Sequence, residues 1–137
     1  MPARTLRIKA IARVVLALLM VVAGILHFVA TDAYVRITPP YLPLHRELVY
    51  ATGVFEILGG IGLLVARLRA AAGIGLILLY FAVLPANINM AIYDIQPESF
   101  RIPLVLLWAR IPFQLVLAAW AWWVSRPDPA PPGVAFS

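Results

Sequence analysis

Cysteine is absent from the 137 residues, and charge is sparse: Asp, Glu, Lys and Arg together make up 12%. The first absence removes disulfides, thiol relays, iron–sulfur ligation and cysteine nucleophiles, so any redox chemistry would belong to a bound cofactor or a partner. The second, beside 64% hydrophobic residues, excludes an ordinary soluble domain. Histidine is scarce too. His27 and His45 are the two in the chain, and His45 falls in a connecting segment, so a bis-histidine haem inside a bundle lacks its second ligand and no metal site is expected. Acidic residues are outnumbered, giving a net charge of +5. The basic residues gather at the ends of apolar runs rather than interleaving with aromatics on one face, which argues against a nucleic-acid partner.

What the chain has is long apolar runs. Helices are predicted over about 8–30, 48–66, 69–93 and 102–124, each near the ~20 residues that cross the hydrocarbon core at about 1.5 Å per residue. None alternates with the two-residue period of a membrane barrel strand. The expected fold is all-α: an integral membrane four-helix bundle with antiparallel up-down topology, forming one domain over 1–125. The first run has the basic start of a signal peptide, but its apolar stretch exceeds the usual ~7–15 residues and no small-x-small site surrounds Phe28 to Ala30. It is read as a retained helix. Placing Arg4, Arg7, Lys9, Arg13, Arg67, Arg69 and Arg126 on one side puts both termini in the cytoplasm by the positive-inside rule.

The connections are unequal. The segment 31–47 carries Pro39, Pro40 and Pro43, which deny it regular helix, and its aromatics and aliphatics suit the membrane interface. It is expected to lie as an interfacial flap over the outer end of the bundle, or to be an aromatic-belt loop; Trp120, Trp122 and Trp123 read as belt residues at the other interface. Arg67-Leu68-Arg69 leaves so little slack that the flanking helices form a hairpin, with Gly53, Gly59, Gly60, Gly62, Gly73 and Gly75 permitting close backbone approach. The Pro-rich tail 126–137 is expected to be disordered. No internal repeat supports an inverted-repeat transporter.

Within these runs sit Glu56 and Arg110. An isolated charge at the centre of a membrane helix costs about 2.5–3.5 kcal/mol on insertion scales, so the two are expected to face each other. Each lies about 12 Å below the outer end of its helix, which puts them at one level. His27, Asn87, Gln114 and Thr52 are placed to satisfy the remaining donors and acceptors. Asn89 is about 200° round the helix from Asn87 and cannot face the same point. Pro85 and Pro112 each free a carbonyl one turn earlier and are expected to kink their helices near the charges. Two readings of the constellation stand side by side: a polar clasp that fixes helix register, and an outward-opening pocket that holds a ligand or partner. A through-path for ions is disfavoured, because below Gln114 and Glu56 both helices continue as purely apolar or glycine sequence.

Five motifs carry a resemblance: Gly24-Ile25-Leu26-His27-Phe28, Ile37-Thr38-Pro39-Pro40-Tyr41-Leu42-Pro43, Thr52-Gly53-Val54-Phe55-Glu56, Pro85-Ala86-Asn87 and Arg110-Ile111-Pro112-Phe113-Gln114. In order and spacing, from about Leu16 to Trp123, they resemble the DoxX-like family of small bacterial four-helix membrane proteins. The resemblance implies a multi-pass protein of the bacterial inner membrane, associated with redox or oxidative-stress systems. It also implies that His27, Glu56, Asn87, Arg110 and Gln114 are the motif residues. The lack of cysteine sets aside any thiol-linked role of relatives. The expected function is a non-enzymatic accessory protein whose polar pocket binds a small amphipathic ligand or a partner membrane or secreted protein, with membrane lipids around it and a homo-oligomer as one form of partner. The alternative is a quinone-reactive subunit of an oxidoreductase, with Arg110 or His27 on a quinone carbonyl and Glu56 moving protons. A quinone is the one cofactor under consideration.

Overall fold

In the computed structural model, residues 2–98, 100–129 and 133 are described. They form α1 (Ala3–Val29), α2 (Thr31–Ile37), α3 (His45–Leu64), α4 (Arg69–Ile92) and α5 (Leu104–Ser125), with no strand among the described residues. All but α2 are long and apolar enough to cross a membrane. At most 33% of the most apolar window of any of these helices is buried, and side chains such as Leu18, Val22, Leu58, Leu78 and Val105 point outward. In water each such face would cost about 25 cal/mol per Å² of apolar surface, whereas hydrocarbon accepts it. The chain is a multi-pass membrane protein in its length and composition.

Helix α3 packs on α1 and on α4, and α5 packs on α4 and, over a smaller surface, on α1. The long helices therefore form a ring in which α3 and α5 stand across from each other without substantial contact. The closest approaches to another helix's backbone are between α1 and α3. A Cβ at Gly24 would lie 2.6 Å from the Gly53 carbonyl oxygen, and one at Gly60 would lie 2.7 Å from that of Ala17. Between α3 and α4, Gly62 faces Ala72 and Gly59 faces Leu76, so partner positions fall along α4 as the chain rises along α3. Gly75, grouped with the packing glycines from sequence, has nothing within 4 Å of its would-be Cβ and takes no part.

The expectation for 31–47 needs correction: the segment contains α2. The prolines begin only at Pro39, so Thr31–Ile37 is free to coil. The helix stops at Thr38, whose extended φ of −66° and ψ of 128° are what a residue before proline adopts. Past Pro43 the chain re-enters helix through Leu44, which is left-handed at φ 54°, and His45 opens α3 instead of lying in a loop.

Two packed clusters divide the interior. One holds Leu16, Met20, Leu63, Leu76, Tyr80 and Val124; the other holds Ile37, Met90, Ala91 and Leu107. Beyond the first cluster the start of α1 meets the end of α5. Arg13 Nε donates to the Val124 carbonyl at 2.8 Å and Lys9 Nζ to that of Arg126 at 2.9 Å. These basic side chains satisfy carbonyls that a helix end leaves without intrahelical partners. Trp120 also faces inward, its indole N–H donating to the Ala12 carbonyl at 3.1 Å, whereas Trp122 and Trp123 are exposed as a belt requires. Of the tail 126–137, residues 126–129 and 133 are described, and Asp128 pairs with Lys9 at 3.0 Å. The rest of the expected disordered tail lies outside the described residues.

Candidate functional site

A cavity of about 460 Å³ occupies the interior between the two clusters, with Met20 and Tyr80 of the first and Ile37 of the second on its wall. His27 of α1, Thr52 and Glu56 of α3, Asn87 of α4, and Arg110 and Gln114 of α5 all line it. The common cause is the environment: in hydrocarbon, a polar side chain on a spanning helix is excluded from the outer face and turns toward the bundle interior. Pro85 lies inside α4 and also lines the cavity. Pro112 lies inside α5, but its neighbour Phe113 is the residue on the wall.

The expected Glu56–Arg110 ion pair is not formed. Glu56 faces His27, with Oε2 3.2 Å from Nδ1, and Arg110 Nη1 donates to the Met90 thioether at 3.3 Å. The reason is the ring order. Glu56 and Arg110 belong to helices that stand across the bundle, so depth matching put them at one level but could not make them neighbours. Tyr34 of α2 lies within electrostatic reach of both: burial and Glu56 push its hydroxyl pKa up, and Arg110 pulls it down.

The hydrogen-bond balance of the site is unequal. His27 Nδ1 is 2.8 Å from the Ala23 carbonyl, an acceptor that only a protonated Nδ1 can satisfy. That single N–H is spent on the backbone, and Glu56 Oε2, in a side chain only 11% exposed, has no hydrogen-bond donor among the described residues. Gln114 Oε1 is likewise buried without a donor among them. Thr52 turns its hydroxyl to the Leu48 carbonyl at 2.8 Å and brings no free donor. The lining thus presents two unmet acceptors, Glu56 on α3 and Gln114 on α5, and across from Glu56 a guanidinium whose contact among the described residues is a thioether, a weak acceptor for a group with five donors. Leaving a buried polar group unsatisfied costs about 1–3 kcal/mol.

The segment between α1 and α3 lines one side of the cavity. Tyr34, Ile37, Thr38, Pro39 and Leu42 are on its wall, and the Tyr34 ring stacks on His27 with centroids 3.9 Å apart. Asn89, which points away from the cavity as the helical period requires, donates to the Ile37 carbonyl at 2.9 Å and ties α2 to α4. Replacing it with leucine removes that bond and leaves the carbonyl unmet, at about 1 kcal/mol. Limited proteolysis of Asn89→Leu in detergent should cut faster within 38–44 than wild type while the spanning helices stay intact.

Tyr34, Tyr80 and Met90 were missed as site residues. An aromatic in an interfacial segment, a tyrosine in an apolar run and a methionine near a helix end carry no signal of their own; only the fold brings them to the charged groups. The chain was compared with protein families, curated proteins and solved structures. A family model described as a domain of unknown function (DUF8561) matches residues 16–125. No curated protein and no solved structure matches the chain.

Proposed function

Because the chain belongs to the DUF8561 family, whose description assigns no activity, we propose from the site itself that this is a membrane accessory protein whose cavity binds a small amphipathic ligand. The observation that carries the reading is Glu56 Oε2, buried on a cavity wall with no donor among the described residues. A clasp that only fixes helix register would pair its charges. Here a carboxylate and a guanidinium face one space from opposite sides, and the apolar lining suits a hydrophobic body. The ligand's polar end carries hydroxyl or amine donors for Glu56 and Gln114 and an acceptor for Arg110.

The bundle is up-down and antiparallel with both termini in the cytoplasm. Its support is the basic end, where α1 begins and α5 finishes, and the falling register between α3 and α4. The five motifs that resemble DoxX-like proteins favour the bacterial inner membrane and an association with redox or oxidative-stress systems. A quinone-reactive subunit is the second reading, favoured by Arg110 donors that meet no oxygen acceptor among the described residues. In it Arg110, rather than His27 whose N–H is spent on the Ala23 carbonyl, would hold a quinone's carbonyl end, Glu56 would hold or release a proton at Oε2, and the quinone would supply the electron chemistry.

Native mass spectrometry of gently solubilised protein tests the first reading. The expected result is a retained ligand of lipid-like mass in wild type, lost in Glu56→Gln and Arg110→Leu, together with loss of the thermal stabilisation given by a lipid extract. Equal retention and stabilisation in all three proteins would overturn it. A retained quinone, with electron transfer from an added donor, would move the conclusion to the second reading.

A further inference from the structure

The basic end of the bundle is more than a topology signal. Lys9 is 3% exposed and Arg13 is 7% exposed, a depth of burial that long cationic side chains seldom reach unless paired. Among the described residues their one acidic partner is Asp128, and it serves them unequally. A single oxygen, Oδ1, lies 3.0 Å from Lys9 Nζ and 3.7 Å from Arg13 Nη2. The first is a hydrogen bond and the second is too long for one, so Arg13 Nη2 is buried with no acceptor among the described residues. Arg126 adds Nε and Nη2, also buried without acceptors there, on a guanidinium that stacks over the Trp122 ring at 3.9 Å. Arg69, anchored by its own bond to the Leu63 carbonyl at 3.0 Å, is close enough to act electrostatically on both Arg13 and Asp128.

Lys9 and Arg13 thus converge on one carboxylate, with Arg69 within electrostatic reach, and donors remain to spare. Asp128 stays ionised, since the Lys9 hydrogen bond holds its carboxyl below the usual aspartate range. Its side chain is 42% exposed, so the position it fills opens to the outside. A tetrahedral phosphate has oxygens on more than one side and can reach Lys9 Nζ and Arg13 Nη2 together, which Asp128 Oδ1 does not. The level is also apt, at the helix ends where lipid headgroups lie.

We infer that Lys9 and Arg13 form a binding site for the phosphate group of an anionic phospholipid, in which Asp128 is the displaceable stand-in. The same chemistry would take free phosphate, and the test separates the two sources.

Full-length protein is reconstituted in phosphatidylcholine nanodiscs with and without phosphatidylglycerol, and in neutral detergent with inorganic phosphate, and thermal unfolding is followed in each. Phosphatidylglycerol should raise the midpoint of wild type, and Lys9→Gln/Arg13→Gln should weaken its apparent affinity about tenfold, the equivalent of about one charge-assisted hydrogen bond. Arg4→Gln/Arg7→Gln removes the same charge from two exposed residues at the same end and should leave the response intact. Asp128→Asn, which keeps the size of a side chain that is 42% exposed, should bind phosphatidylglycerol more tightly than wild type. An equal response to inorganic phosphate would assign the site to free phosphate rather than lipid. The inference is overturned if the two double variants lose the response alike, or if Asp128→Asn binds neither anion more tightly than wild type.

Discussion

Gly24→Ala is expected to loosen the protein by about 1–3 kcal/mol, the usual cost of overpacking a close contact. The added Cβ would stand 2.6 Å from the Gly53 carbonyl oxygen and 2.6 Å from Ile57 Cγ1. The isoleucine can turn aside but the carbonyl cannot, because it is part of the α3 backbone; the two helices must separate. Gly53→Ala meets the reciprocal obstacle, with the Gly24 carbonyl oxygen at 2.9 Å and His27 Cβ at 2.8 Å. Gly75→Ala supplies the control. Among the described residues nothing lies within 4 Å of its Cβ, so alanine there should gain about 0.5–1 kcal/mol of helix propensity. Unfolding in mixed micelles by titrated dodecyl sulfate should rank Gly75→Ala above wild type and Gly24→Ala and Gly53→Ala below it. Because His27 and Glu56 lie on these two helices, both destabilised variants should also lose ligand retention. Equal stability of Gly24→Ala and Gly75→Ala would mean that α1 and α3 do not approach as closely as described.

That contrast marks how far the sequence could be read. The spanning helices were legible because hydropathy reports the slab they cross: α4 was expected over 69–93 and runs Arg69–Ile92. Helix α1 starts at Ala3, earlier than the predicted 8, because its first turns are basic and continue the helix beyond the hydrocarbon, where hydropathy is silent. Helix α2 was hidden by three prolines that follow it rather than interrupt it. The glycines showed that backbones approach closely but not which ones. The sequence pointed to the tight α3–α4 hairpin, whereas the closest backbone contacts are between α1 and α3, across a longer connection.

The polar residues were legible by elimination, since lipid refuses them and the interior is what remains. His27, Thr52, Glu56, Asn87, Arg110 and Gln114 line one cavity for that reason. Their pairing was not legible, because it depends on which helices are neighbours and a sequence gives depth without azimuth. Lys9 and Arg13 failed in the opposite direction. Basic residues ahead of a span ordinarily face headgroups and water, and their burial arises from α5 ending beside them with carbonyls to be met.

Glu56→Leu should move stability and binding in opposite directions. If Glu56 served a structural clasp, removing it would strand its partner and cost about 3–5 kcal/mol, as breaking a buried pair does. The geometry gives Oε2 no hydrogen-bond donor among the described residues: His27 Nδ1, 3.2 Å away, is already bonded to the Ala23 carbonyl, and Arg110 is held by Met90. Leucine removes a buried acceptor that no donor meets among the described residues and puts a side chain of similar bulk on a cavity also lined by Met20, Val49 and Tyr80. The ligand-free protein should therefore gain about 1–3 kcal/mol, the cost of an unsatisfied buried group. The same change removes the acceptor that the ligand's donor requires, so retention of a copurifying ligand should fall to background. Unfolding in mixed micelles and native mass spectrometry on one preparation give both readings. A stabilised, empty protein is the signature of a residue kept for binding at the expense of the fold; a destabilised one would return Glu56 to the role of clasp.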